Sequence, residues 1–288
     1  MSTDTHHYFV ADVFTSRPLE GNQVAVFTHA EKIPADKMQP LARELNLSET
    51  VFVLPTDGGD PAHADVRIRI FTPSIELPFA GHPIIGTACV LAALDPARDK
   101  IRLATTSGII PVMLVREGSE VAGATLEQPA PRWRLLEDPE RLFAALRVSG
   151  SGLPVDVYES GPGHAYVELD NEEAVASVDP DMSALRSMGT VGANCFAGSG
   201  VRWKNRMFAP GAGVPEDPAT GSAAGPLALH LARHRRIDFG QQIEISQGRE
   251  IKRPSVLFAT AFGSASKPEK LAVGGSAVVV AEGSYRIG

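Results

Sequence analysis

Residues 64–72 alternate well. Val66, Ile68 and Ile70 fall on one face and Asp65, Arg67 and Arg69 on the other, which predicts a strand with one buried side. Further β-rich runs lie at 8–14, 23–28, 50–54, 100–104 and 109–115. The second half adds runs near 154–158, 164–168, 190–196, 203–209, 242–246, 255–261 and 276–286. Helical spacing appears at 33–45, where Met38, Leu41 and Leu45 share a face. Pro34 suits the first position of that helix, and Pro40 is expected to kink or delay it. A second helix is predicted after Asp138 as N-cap, with Pro139 first and Leu142, Phe143 and Leu146 inward. Residues 83–94 (PIIGTACVLAAL) are apolar nearly all round, so this helix is predicted to be buried. A small-residue helix is predicted at about 222–234.

The chain nearly repeats itself. IFTPSIELPFAGHPIIGTACVL at 70–91 resembles MFAPGAGVPEDPATGSAAGPLAL at 207–229. Phe71 and Pro73 match Phe208 and Pro210 at a spacing of 137; Ala80 and Gly86 match Ala219 and Gly225 at 139. Each copy runs from a hydrophobic strand through a Pro/Gly turn into a small-residue helix, which predicts two similar halves around a shared cleft. The pattern reads as many antiparallel strands wrapped around one apolar helix per half. GxGxxG after a first strand and a Walker loop are both missing, which argues against a nucleotide-binding parallel sheet. The run Gln128-Pro129-Ala130-Pro131 marks the boundary. Residues 1–126, completed by the C-terminal strand 270–288, form one half and residues 127–269 the other.

Composition narrows the class. The 288 residues are 43% hydrophobic and 21% charged, as in a soluble globular enzyme or binding protein. A net charge of −7 with no basic block argues against nucleic acid or an anionic membrane as partner. No apolar run reaches transmembrane length, and MSTDTHHYFV lacks a basic-then-apolar leader pattern, so the expected location is the cytoplasm. Cys89 and Cys195 sit in apolar segments without ligand spacing and are expected to be buried free thiols. The eight histidines show neither HxH nor HExxH, His6-His7 is expected to fray, and no metal is predicted.

Three places could carry chemistry. Glu49, in ELNLSETVFVL, opens a strand among apolar neighbours, where a carboxylate loses hydration and can serve as a general base. Gly81-His82-Pro83 starts the first apolar helix. Gly81 permits close approach, the helix end favours an anion, and His82 can shuttle a proton. Asp217 lies in EDPATGS at the start of the second small-residue helix, where Thr220 or Ser222 is the expected cap. The repeat predicts that Asp217 faces His82 across the cleft. A Ser222/His82/Asp217 triad is conceivable, but no nucleophile elbow is present. Proton transfer on a small carboxylate-bearing substrate is the reading these residues favour.

PLEGNQVAVF, ARELNLSETVFVL, IRIFTPSIELPFAGHPIIGTA, NCFAGSG, RMFAP and EDPATGSAAGPLALHLARH resemble the phenazine-biosynthesis PhzF family from about residue 8 to the end. FGQQIEISQGREIKRPS resembles its isomerase branch. The resemblance implies an α+β, diaminopimelate-epimerase-like fold of two pseudo-symmetric halves. Each half would be a rolled antiparallel, barrel-like sheet around a central apolar helix. It implies a homodimer, no cofactor, and isomerisation of trans-2,3-dihydro-3-hydroxyanthranilate to a reactive ketone. Glu49 would move a proton from C3 to C1, with His82 and Asp217 orienting the amino and hydroxyl groups. Gly81, Gly221 and Ser222 would hold the substrate carboxylate, and Ser48 and Thr220 complete the expected binding set.

Two alternatives remain. An epimerase of another small carboxylic acid on this fold resembles its kin in carrying a cysteine at each helix start; here those places hold Gly81 and the Asp217-Pro218 turn. A non-catalytic binder of an aromatic acid would keep the cleft without turnover.

Overall fold

The computed structural model describes residues 4–56, 64–118, 120–159, 161 and 163–287; Met1 to Thr3 of the N-terminal stretch lie outside them. The chain divides into two units, Met1–Glu127 with Gly274–Gly288, and Gln128–Val273. The first unit holds β1 (Asp4–Val13), β2 (Asn22–Phe27), α1 (Ala35–Leu45), β3 (Glu49–Leu54), β4 (Val66–Phe71), β5 (Glu76–Leu77) and α2 (Gly81–Leu94). It continues with β6 (Lys100–Thr105), β7 (Gly108–Glu117) and β8 (Glu120–Pro129), whose last two residues fall in the second unit. The second holds β9 (Arg132–Leu135), α3 (Pro139–Leu146), β10 (Asp156–Glu159), β11 (Gly163–Glu168), α4 (Glu172–Ala176) and α5 (Met182–Ser187). It continues with β12 (Gly192–Ser199), β13 (Arg202–Ala209), β14 (Val214–Asp217), α6 (Gly221–Arg233), β15 (Gln242–Gln247) and β16 (Ser255–Gly263). The last strand, β17 (Pro268–Ile287), begins in the second unit and ends in the first.

In the first unit the strands close on themselves: β1 pairs with β2, then β3, β4, β6, β7 and β8 follow, and β17 joins β8 to β1. Two glycines permit the β8–β17 closure. A Cβ on Gly123 would stand 2.2 Å from the Gly275 carbonyl oxygen, and one on Gly274 would stand 2.4 Å from Thr125 Oγ1. Helix α2 packs on β1, β2, β3, β6 and β7, and every residue from Gly81 to Val90 is buried. The all-round apolar pattern therefore marks a helix surrounded by sheet.

The second unit repeats the pairing order of the first. Antiparallel β1–β2 corresponds to β10–β11, parallel β2–β3 to β11–β12, and antiparallel β3–β4 to β12–β13. The short β5 on β4 corresponds to β14 on β13, parallel β4–β6 to β13–β15, and antiparallel β6–β7 to β15–β16. Both units are α+β barrels around an apolar helix, α6 taking the place of α2. The sheets are mixed, because two crossovers in each unit, one through the central helix, force parallel neighbours.

Local differences from the sequence reading have physical causes. Pro34 is the N-cap of α1 rather than its first residue, and the helix runs through Pro40. Pro40 faces solvent, so water can serve the carbonyl that loses its N–H partner. Asp138 caps α3 by accepting from Arg141 N–H, and Pro139 is first, as expected. His6 does not fray: it is 5% exposed and pairs with Tyr285 across β1–β17. The short β5, β9, β14, α4 and α5, and the polar strand β8, carry too little periodicity to read.

Candidate active site

Glu49 and His82 meet in the first unit. Helix α1 ends at Asn46, whose left-handed conformation (φ 51°) turns the chain through half-buried Ser48 into β3. Glu49, first in β3, comes into register with Val24 of β2. His82 is the second residue of α2 and 5% exposed. Its Nε2 lies 3.0 Å from Glu49 Oε2 and 3.3 Å from the Gln23 carbonyl oxygen. Its Nδ1 lies 3.4 Å from Asn22 Nδ2. Facing an amide donor on one side and two oxygens on the other, the ring is assigned as the Nε2–H tautomer. The N–H aligns on Gln23. Glu49 Oε2 is buried and has no aligned donor among the described residues. A buried polar atom left unsatisfied is costly, and such atoms gather where function needs them.

Asp217, Thr220 and Ser222 come together in the second unit. Asp217 ends β14, opposite Met207 of β13. Thr220 occupies the N-cap of α6 but does not cap it; its Oγ1 donates to Asp217 Oδ2 at 2.6 Å. Nor does Ser222 cap: its Oγ is 3.0 Å from His164 Nε2. Ser222 and Asp217 are thus engaged by His164 and Thr220, not arranged as nucleophile and relay. Gly81 and Gly221 are the first residues of α2 and α6, and neither helix start carries a side-chain cap.

Behind these groups runs a buried polar network that the sequence reading missed. Gln247 Nε2 donates to the Asp217 carbonyl (2.8 Å) and to Thr220 Oγ1 (3.0 Å). Asn205 Nδ2 donates to Gln247 Oε1 (3.1 Å) and to Asn194 Oδ1 (3.2 Å). Asn194 Nδ2 lies 3.4 Å from His164 Nδ1. All four side chains are nearly inaccessible. His164 and Asn194 stand out as polar residues in largely apolar strands, whereas Asn205 and Gln247 lie in strands rich in polar residues and carry no such signal.

A cation could be sought at Asp156, His230 and His234, whose ligand atoms lie within 4.8 Å of one another. His230 and His234, at the end of α6, stand four apart like the histidines of HExxH, but Leu231 takes the place of the glutamate. Arg233 already serves this carboxylate at 2.8 Å while stacking on Trp133 at 4.3 Å, so the cluster reads as an ion-pair lock. Burial pushes Asp156 up, but hydrogen bonds from His230, His234 and Arg233 outweigh it and hold the carboxyl well below its usual range. Cys89 and Cys195 are buried, and burial pushes both thiols up to about 12.

A family model described as phenazine biosynthesis-like protein matches residues 11–283. The chain is 48% identical to the trans-2,3-dihydro-3-hydroxyanthranilate isomerase of Pseudomonas aeruginosa, over 96% of this chain and 98% of that one. It is 49% identical to the isomerase of the same name from Pseudomonas chlororaphis, over 97% and 99%. The crystal structure of a Bacillus anthracis phenazine biosynthesis protein of the PhzF family superposes with a TM-score of 0.86 at 23% identity, covering 99% of this chain and all of the other. At that identity the likeness is one of fold.

Proposed function

Because the chain belongs to the phenazine biosynthesis-like protein family, we propose that it is an isomerase converting trans-2,3-dihydro-3-hydroxyanthranilate by proton transfer. The observation that carries this reading is the Glu49 carboxylate. One of its oxygens is shielded from solvent, lies beside an imidazole and lacks an aligned donor, so it can accept a proton from a bound substrate. Glu49 takes the proton from C3, the electron pair moves through the ring double bonds, and the same carboxyl returns a proton at C1. Nothing is lost or gained, and the enol so formed tautomerises to the ketone. His82 and Asp217 orient the amino and hydroxyl groups. Ser48, Gly81, Thr220, Gly221 and Ser222 bind the substrate, its carboxylate meeting the N–H groups of Gly81, Gly221 and Ser222.

This reading gives the polar residues at the start of α2 and of α6 roles in the same reaction. The repeated strand–turn–helix supports it, since each copy puts a polar side chain, His82 or Ser222, second in its helix. The family resemblance further supports a cofactor-free, homodimeric, cytoplasmic enzyme. No helix among the described residues is long and apolar enough to cross a membrane. The test is to mix the purified protein with trans-2,3-dihydro-3-hydroxyanthranilate in D₂O, following the ultraviolet spectrum and product mass. Turnover with deuterium in the product is expected. An unchanged spectrum, with conversion of another small acid, would remove the named function and leave the fold.

A further inference from the structure

Ser222, His164 and Asn194 line up like a nucleophile, its base and an orienting amide: Ser222 Oγ is 3.0 Å from His164 Nε2, and His164 Nδ1 is 3.4 Å from Asn194 Nδ2. A catalytic serine would need a proton on Nδ1, donated to the amide oxygen, so that Nε2 could accept from the hydroxyl. The network is wired the other way. Asn194 turns its Nδ2 toward the carbonyl oxygens of Ala165 and Gly192, each at 3.3 Å, which fixes that atom as the donor. Its Oδ1 accepts from Asn205, which in turn donates to Gln247 Oε1. Gln247 is fixed independently, because its Nε2 donates to the Asp217 carbonyl. Main-chain carbonyls thus set the direction from both ends.

We propose that His164 is a positioning residue for Ser222: held as the Nε2–H tautomer, it donates to Ser222 Oγ and leaves the serine hydroxyl hydrogen for an acceptor on the bound ligand. Resting on the function proposed above, that acceptor is the substrate carboxylate. Three further observations fit. The ring is confined, since a Cβ on Gly192 would stand 2.9 Å from His164 Nδ1. Burial lowers the imidazole to about 4, so it is neutral at ordinary pH. Tyr166, two residues along β11 on the same face, donates to the Ala223 carbonyl at 2.7 Å and fixes the start of α6.

The test combines spectroscopy and kinetics on the full chain. Nitrogen NMR of histidine-labelled protein at neutral pH should show His164 protonated at Nε2 and bare at Nδ1. The assignment comes from the signal lost in H164Q. A proton on Nδ1 overturns the proposal whatever the protein turns over, whereas failure to isomerise the substrate overturns only the function above. In kinetics, S222A and H164L should each raise KM about tenfold to a hundredfold with kcat little changed, the scale of one lost hydrogen bond to a charged group. The double variant should be no worse than S222A alone. H164Q, whose amide N–H reaches the place of Nε2–H, should recover most of the loss even if H164L does not fold. Losses that multiply in the double variant, a fall in kcat alone, or labelling of Ser222 by a phosphonofluoridate would each refute the wiring.

Discussion

His82 Nε2 lies 3.0 Å from Glu49 Oε2, yet its N–H is aligned on the Gln23 carbonyl. The imidazole therefore sits beside the carboxylate without occupying the lone pair that a substrate proton would need. Glu49→Gln keeps the shape and removes the base. It should fold as wild type and lower kcat by about a hundredfold to ten-thousandfold, the usual worth of a positioned general base. Steady-state kinetics with a thermal melt of the same sample checks this. Full turnover in the variant would end the assignment.

Arg206 clamps Glu216 through one guanidinium edge, Nε to Oε1 and Nη2 to Oε2, each at 2.8 Å. Its Nη1 donates to the carbonyls of Val175, Ala176 and Val178. Burial disfavours the cation, but Glu216 outweighs it and raises the Arg206 pKa. Removing one partner strands the other in a dry interior. Arg206→Met should cost about 3–5 kcal/mol of stability by urea unfolding. Arg206→Lys should rescue little, because an ammonium cannot reproduce the bidentate fork. Because Glu216 adjoins Asp217, both variants should lose activity as well.

Much of the fold was legible, for reasons that can be located. The strict alternation at 66–70 survives because one face of β4 is buried and the other is not, and the apolarity of 83–94 because α2 is buried on all sides from Gly81 to Val90. The repeat was visible in its hydrophobic strands and small-residue helices, but with a one-residue slip: Ala80 directly precedes α2, whereas Thr220 stands between Ala219 and α6. Glycine was readable where a helix approaches a sheet. A Cβ on Gly86 would stand 2.5 Å from Val24 Cγ1, and one on Gly225 would meet Gln128 and Val273 at 3.0 Å. The capping role given to Thr220 and Ser222 failed because other partners, Asp217 three residues back and His164 on β11, compete for those hydroxyls. His164, Asn194, Asn205 and Gln247 act through residues distant in sequence, and no local period reports them.

The thiols separate this chemistry from a two-cysteine epimerase. Cys89 is 4% exposed and Cys195 wholly buried, and with thiol pKa values of about 12 neither presents a thiolate at neutral pH. Native protein treated with iodoacetamide should retain full activity. A colorimetric thiol count should rise from none to two only in denaturant. Loss of activity in step with alkylation of either cysteine would revive the epimerase reading.

His164 also predicts how stability responds to acid. Burial lowers its imidazole from 6.5 to about 4, so as pH falls through 6.5 the unfolded chain takes up a proton that the folded chain refuses. Stability contributed by the neutral ring is complete above about pH 6.5, declines through the window below it, and is lost once pH passes the folded value near 4. At about 1.4 kcal/mol per pKa unit, this site alone removes on the order of 3 kcal/mol across that interval. His230, whose pKa burial also lowers, acts in the same direction. Urea midpoints measured between pH 7 and pH 4 should fall for wild type, and fall less steeply by about one proton for H164Q, which has nothing to titrate there. Parallel curves for the two proteins would show that burial does not lower the His164 pKa.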